Sequence, residues 1–418
     1  MTIFDVHFPR PKPPRFFYGY IVVITAFIIM VLSWGLYIVF GVFFTPLLAE
    51  FGWTRAVTSG AYSLSSILHG VLGIAMGGLT DRFGPRIVVT FCGFFLGLGY
   101  LLMSQVNSVW QLYLFYGVII GIGMSGLWVP LLTTVARWFV GKRSMMTGIV
   151  ISGLTIGQLI APPLISRLIA AYDWRLSYII IGGVVLIIVM SAAQFLKRDP
   201  GPLVRLPDDD GKQENSESSS NDYSIGEAVS TWQFWMFWFG LFCLGFAAFS
   251  VTVHIVPHAI DLGVSDVAAA NVLAINGGIG IIGNFVLGGI IGDRIGNRKV
   301  FFIGFLFMAA ALVWLVLADE LWVLYLFAVI FGIAMGGAGT SESPLIARLF
   351  GLNSHGLIYA FLGLGFTAGG AVGPVMTGYI FDVAESYQLA FWICAAFSFV
   401  GFILMVLLRP TKKLGISL

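Results

Sequence analysis

The chain has 418 residues, 58% of them hydrophobic and only 10% charged, with a mean hydropathy of +0.95. Water-soluble domains carry roughly 25% charged and about 45–50% apolar residues, so this balance excludes a soluble fold and places the chain in a bilayer. The net charge of +2 comes from 22 basic and 20 acidic residues, and no basic run suited to nucleic acid occurs.

Residues 1–17 form a polar, Pro-rich lead, and the apolar run behind it is too long for a signal-peptide core. It reads as an uncleaved cytoplasmic segment. A spanning helix needs about 20 apolar residues. Apolar runs bounded by charge, Pro or Gly-rich clusters predict six spans over 18–47, 54–80, 85–105, 109–136, 143–171 and 176–196. Six more follow over 231–260, 266–292, 298–318, 321–347, 355–383 and 387–408. A transmembrane β-barrel would instead show alternating segments of about 10 residues. Between the bundles 18–196 and 231–408, residues 197–230 are rich in Asp, Ser, Gly and Pro and read as a disordered acidic linker in the cytoplasm. Residues 409–418 form a tail.

Basic residues are retained on the cytoplasmic side. With the N-terminus inside, 19 of the 22 fall on that side and only Arg55, Arg167 and Arg175 on the other. Both termini are therefore expected inside a plasma or inner membrane, and no Lys or Arg is left near the middle of any span. Cys92, Cys243 and Cys394 sit inside apolar runs at no metal-ligand spacing and read as small buried hydrophobes.

Five landmarks repeat at an offset of about 212 residues. Gly77-Gly-Leu-Thr-Asp81-Arg82-Phe-Gly84-Pro-Arg86 returns as Gly289-Ile-Ile-Gly-Asp293-Arg294-Ile-Gly296-Asn-Arg298. Ala136-Arg137-Trp138-Phe139 returns as Ala347-Arg348-Leu349-Phe350, and Gly153, Gly157 and Pro162 return as Gly365, Gly369 and Pro374. The expected fold is all-α and membrane-integral, with twelve transmembrane helices in two pseudo-twofold-related six-helix bundles, as in transporters built from parallel repeats.

With these motifs the chain resembles the major facilitator superfamily, whose loop signature is the Gly-x-x-x-Asp-Arg-x-Gly-x-Arg pattern seen twice here. More narrowly it resembles the monocarboxylate and oxalate/formate transporter branch, through Tyr18-Gly-Tyr20, Phe51-Gly-Trp53-Thr-Arg55, Asp173-Trp-Arg175, His254-Ile-Val-Pro257 and Gly373-Pro374-x-x-x-Gly378-Tyr-x-x-Asp382. The resemblance implies a twelve-helix carrier of small organic acids. That branch typically holds the substrate carboxylate with an Arg on span 8, and the matching position here is Asn284. Its animal members pair that Arg with an Asp, matched here by Gly280, and add a span 1 Lys, matched by Ile38. The carboxylate-binding and proton-coupling residues of the branch are thus absent.

Spans 3, 6, 9 and 12 are nearly featureless and are expected to form an outer ring. Polar residues concentrate on the other spans and must face protein or water. Tyr37, Trp128, Gln158, His254, His258, Asn276, Asn284 and Tyr359 are candidate substrate contacts. Glu342, the one carboxylate with no interfacial position, is a candidate proton carrier together with His69 and His254. Each has a structural alternative: a backbone or Arg348 partner for Glu342, a polar contact beneath Pro257 for the two histidines, a satisfied buried side chain for His69. Asp81, Arg82, Arg137, Asp293, Arg294 and Arg348 are expected to latch the cytoplasmic side.

No Walker loop, strand-to-helix Gly loop, metal-ligand set or nucleophile-base constellation is present, so neither a cofactor nor an enzymatic activity is expected. The expected function is secondary active transport of a small organic solute, most simply an organic acid, by alternating access with protons, by a monomer in the lipid bilayer. A zwitterionic or neutral solute is the alternative. A ligand sensor is a further one, disfavoured because only nine residues follow Arg409.

Overall fold

The computed structural model describes residues 17–139, 143–199, 223–351 and 354–409. Twelve helices in it are long and apolar enough to cross a membrane. In the N-terminal half they are α1 (Gly19–Phe51), α2 (Arg55–Phe83), α3 (Pro85–Met103), α4 (Val109–Trp138), α5 (Met145–Tyr172) and α6 (Trp174–Ala193). In the C-terminal half they are α7 (Trp232–Asp261), α8 (Asp266–Ile291), α9 (Asn297–Val316), α10 (Leu321–Phe350), α11 (His355–Ala384) and α12 (Gln388–Leu407). No end departs from the sequence expectation by more than four residues, because charge and glycine mark where the apolar run stops.

An even number of crossings puts the start of α1 and the end of α12 on one face, called here the termini face; the other is the distal face. The repeat has a direct structural meaning. Gly84 and Gly296 close the α2–α3 and α8–α9 turns at φ +85° and +91°, a region other residues avoid. The glycine pairs of α5 and α11 do the same job in each half. A Cβ on Gly153 or Gly157 would lie 2.9 and 2.3 Å from the carbonyl oxygens of Phe27 and Val31 on α1. A Cβ on Gly365 or Gly369 would lie 2.5 and 2.0 Å from those of Trp238 and Phe242 on α7. Small residues let these backbones touch, which is how helices associate where apolar burial gives no advantage over lipid.

α3 packs mainly on α6 and α4, and α9 on α12 and α10, each within its own half. Across the halves, α2 packs on α11, α5 on α8, and the distal part of α1 on α7. Among the described residues, no comparable packing joins α4 to α10. The two halves therefore meet from the distal face to about mid-depth and part toward the termini face. There, a Cβ on Gly148, Gly339, Gly356 or Gly363 would meet nothing within 4 Å.

Three helices are irregular. α1 is interrupted at Val39, between segments Gly19–Ile38 and Phe40–Phe51. α4 and α8 contain π-helical stretches over Tyr113–Ile120 and Gly283–Ile291, a form enriched at functional positions. Of the linker, residues 200–222 lie outside the described residues, as do the lead before Phe17 and the tail beyond Arg409. The linker's two edges are ordered. The Trp138 indole donates to the Lys197 carbonyl at 2.8 Å, the Tyr223 amide donates to the Phe350 carbonyl at 2.9 Å, and a short helix Ile225–Val229 starts at a Ser224–Glu227 capping box.

Candidate functional site

At the distal face one residue of the N-terminal half ties together three elements of the other. Thr54 caps α2 through its side chain, and the helix begins at Arg55. The free amides of Arg55 and Ala56 each donate to the Asp382 carboxylate at 2.8 Å. A carboxylate at a helix N-terminus answers both the unpaired N–H groups and the helix dipole. The Arg55 guanidinium pairs with Asp261 at 2.9 Å, lies 3.5 Å above the Phe381 ring and donates to the Tyr387 hydroxyl.

His254 continues this network and is fully buried. Its Nε2 lies 2.8 Å from the Pro374 carbonyl, and since a carbonyl only accepts, Nε2 carries the proton. Nδ1 then accepts from the Tyr387 hydroxyl at 3.0 Å, while that hydroxyl accepts from Arg55. Ser59 of α2 sits 3.1 Å from Nε2 and donates to the Arg55 carbonyl at 2.7 Å. His254 is thus a bonded member of the distal seal and lies away from the gap between the halves. His258, one turn on, faces α12, with its ring 5.0 Å from that of Phe391. The two histidines, four residues apart on α7, thus meet different surroundings.

Below the seal, at mid-depth, the Gln158 side-chain amide of α5 donates to the side-chain Oδ1 of Asn276 on α8 at 3.1 Å, a second polar link between the halves. The Asn276 side-chain nitrogen Nδ2 is a donor buried with no acceptor among the described residues, as is the Trp34 indole N–H of α1. Trp34 gathers two of the predicted residues: His69 stands edge-on at 5.2 Å and Trp128 at 5.3 Å between ring centres. Tyr37 is 1% exposed and turns into its own half, stacked on Tyr62 at 4.9 Å.

Toward the termini face, Glu342 is half-buried on α10 and lies within electrostatic range of Tyr359 on α11. Tyr359 stacks on His355 at 6.1 Å, and His355 bonds the Ser343 carbonyl at 3.1 Å. Asn284 opens the π-helical stretch of α8, half-buried, its carbonyl facing the Thr340 hydroxyl at 3.5 Å. The sequence places Glu342 about 15 Å along the helix from Gly332 at 1.5 Å per residue, and a Cβ on Gly332 would touch the Asn276 carbonyl. Glu342 and Asn276 therefore belong to different depths of the same gap.

The charged residues expected to form the latch lie at the termini face, near the ends of α2, α4, α8 and α10. Arg137 pairs with Asp81 of its own half and lies 3.8 Å from Asp199 at the start of the linker. The pair braces α4 against α2 within the N-terminal half. Arg348 approaches the Gly296 turn of its own half, 3.5 Å from the Cβ position there. Arg82 lies 5.2 Å over the Phe83 ring, and Arg294 is exposed. The Asp293 side chain lies outside the described residues. Among the described residues, no group of three or more His, Cys, Asp or Glu side chains is placed to hold a metal ion.

Sequence reasoning did not assign roles to Arg55, Asp261, Asp382 and Tyr387. Arg55 and Asp382 stood out in the motifs, and Arg55 was one of only three basic residues expected on the distal side. That rarity was the available signal.

The family model of the Major Facilitator Superfamily matches residues 25–292 and again 285–417. Monocarboxylate transporter 13 of Rattus norvegicus is 28% identical over 397 residues, covering 94% of this chain and 89% of that protein. The oxalate:formate antiporter of Oxalobacter formigenes is 26% identical over 400 residues, covering 91% and 89%. Among solved structures, a bacterial homolog of the human lysosomal transporter Spinster, inward-facing and unoccupied, superposes with a TM-score of 0.75 at 17% identity, covering 95% of this chain and 99% of that one.

Proposed function

We propose, since the chain belongs to the Major Facilitator Superfamily, that it is a secondary active transporter moving a small organic acid of the monocarboxylate class by alternating access, with proton coupling. The observation that carries the substrate class is the pair of buried, unanswered donors near the middle of α1 and α8, Trp34 Nε1 and Asn276 Nδ2. Buried donors require acceptors. A carboxylate supplies several, and the transporter relatives point to the same chemistry.

No Lys or Arg stands at that depth, so neutral donors hold the acid. A lone anion facing only neutral donors is weakly held, and the acid is best carried with its proton. Glu342, on the wall of the gap and beside Tyr359, is the group we assign to exchange that proton, with His69 at the Trp34 box as the second titratable group. The termini face is taken as cytoplasmic in a plasma or inner membrane, which makes this the conformer open to the cytoplasm. Transport to the opposite state separates Arg55 from Asp261, Asp382 and Tyr387 and brings α4 and α10 together. Substrate shifts that equilibrium only by the difference in its affinity for the two states.

A second reading, a zwitterionic or neutral organic solute, is favoured by the absence of a basic residue at mid-depth. Purified protein in liposomes, tested by counterflow against lactate, pyruvate, oxalate, formate, amino acids and neutral analogues with and without a pH gradient, decides between them. The acid reading expects counterflow with a monocarboxylate and uptake accelerated by an inward proton gradient. Counterflow with amino acids or neutral analogues alone refutes it.

A further inference from the structure

The core of the N-terminal half contains a polar cluster that transport as described above does not use. Tyr37 of α1, Tyr62 of α2, Tyr100 of α3, Tyr116 of α4 and Tyr178 of α6 are each at most 1% exposed. Their rings form two groups, each resting on α1: Tyr37 stacks on Tyr62 at 4.9 Å and on Tyr116 at 6.2 Å, with Phe40 4.4 Å from Tyr116, and Tyr100 stacks on Tyr178 at 6.3 Å, with Phe43 3.9 Å from Tyr178. Tyr116 lies within electrostatic range of the other four.

The cluster surrounds the interruption of α1. Tyr37 sits in the last turn before Val39, where carbonyls lack partners within their own helix. The Tyr116 hydroxyl, carried by the π-helical stretch of α4, donates to the Tyr37 carbonyl at 3.2 Å. Two backbone irregularities in different helices are thus joined by one bond. The hydroxyls of Tyr37, Tyr62, Ser65, Tyr100 and Tyr178 are all buried with no hydrogen-bond partner among the described residues. Buried hydroxyls in protein cores are bonded to protein or to ordered water.

We propose that this cluster binds ordered water, held by the hydroxyls of Tyr100, Tyr178, Tyr37 and Tyr62, and that water and Tyr116 together form the socket of a hinge in α1 at Val39. The segment of α1 beyond Val39 is attached to the opposite half. A Cβ on Gly41 would lie 2.8 Å from the Thr252 carbonyl of α7, and Phe44 packs edge-on against His254 at 5.2 Å. When the distal seal parts, this segment must turn relative to the first segment of α1. Water re-forms its hydrogen bonds in any orientation and keeps the freed carbonyls satisfied through the turn, which a dry apolar socket cannot do. The hinge role rests on the alternating-access reading; the water site does not.

X-ray radiolytic footprinting in nanodiscs tests the site, because radicals formed from bound water oxidise the buried side chains beside it. Peptides containing Tyr62, Tyr100 and Tyr178 are expected to be oxidised severalfold faster than the equally buried Phe237 and Phe301 of the other half. In parallel, Tyr100→Phe and Tyr178→Phe remove one hydroxyl each. From a hydrated cluster this lowers Tm, by about 2 °C or more; from a dry core it raises Tm. Oxidation no faster than at Phe237, or an unchanged or raised Tm in both variants, overturns the proposal. Neither measurement involves transport, so failure of the substrate assay leaves the result standing.

Discussion

Arg55→Gln is the most informative perturbation of the distal seal. The substitution keeps the α2 amides that bind Asp382 and removes only the guanidinium. Its bond to the Tyr387 hydroxyl, charged at one end, is worth about 1.5 kcal/mol. The pair with Asp261, whose side chain is 37% exposed, is reduced by solvent to about 0.5 kcal/mol. Stacking on Phe381 adds about 0.5–1 kcal/mol. Glutamine retains part of the hydrogen bonding, which leaves a loss of about 2–3 kcal/mol. That converts to about a 30- to 150-fold rise in the ratio of distal-open to distal-closed molecules. The assay is the distance distribution between spin labels at Tyr172→Cys and Leu262→Cys, exposed distal residues of the two halves. The three native cysteines are buried and need not be removed. The expected result is a longer-distance population that grows at the expense of the short one. A folded variant with an unchanged distribution refutes the assignment of Arg55 as the residue holding the seal.

Asn276→Ala removes both the link to Gln158 and an unanswered donor, and should weaken substrate binding about tenfold, in line with one hydrogen bond of about 1–1.5 kcal/mol; an unaltered Kd by thermal shift titration counts against Asn276 as a contact. Glu342→Gln cannot exchange a proton, so uptake should lose its response to an imposed pH gradient while counterflow persists. Gradient-driven uptake at the normal rate excludes Glu342 as carrier. Gly157→Val brings a side chain against the Val31 carbonyl, where even a Cβ would stand at 2.3 Å. It should therefore disrupt the α1–α5 contact and cost several kcal/mol, as overpacking does, read as loss of monodisperse protein on size exclusion; normal folding refutes the close-contact reading.

The spans, the two-half plan and the repeated glycine contacts were legible in the sequence, whereas the site was legible only in fragments. Asn276 and Gln158 were both singled out, but nothing in the chain linked them. His254 and His258 illustrate the loss most clearly. Their four-residue spacing places them on one helix face, yet His254 meets Ser59 of the opposite half and His258 meets Phe391 of its own. Asp81 and Arg137 both belong to the N-terminal half by sequence, but that they pair with each other depends on how α2 packs beside α4.

What the sequence by itself determined is the set of properties that follow from transfer free energies summed over a few neighbours. Twenty apolar residues in a row span the bilayer, charge is expelled to the two faces, and a repeated motif repeats its fold. The distal seal depends on residues 327 positions apart in the chain, Arg55 and Asp382. No local term contains that distance. Only packing α2 against α11 brings the first free amides of one helix to the carboxylate near the end of the other, and only that packing decided which face is closed, which donors are left unanswered and where a broken helix can turn.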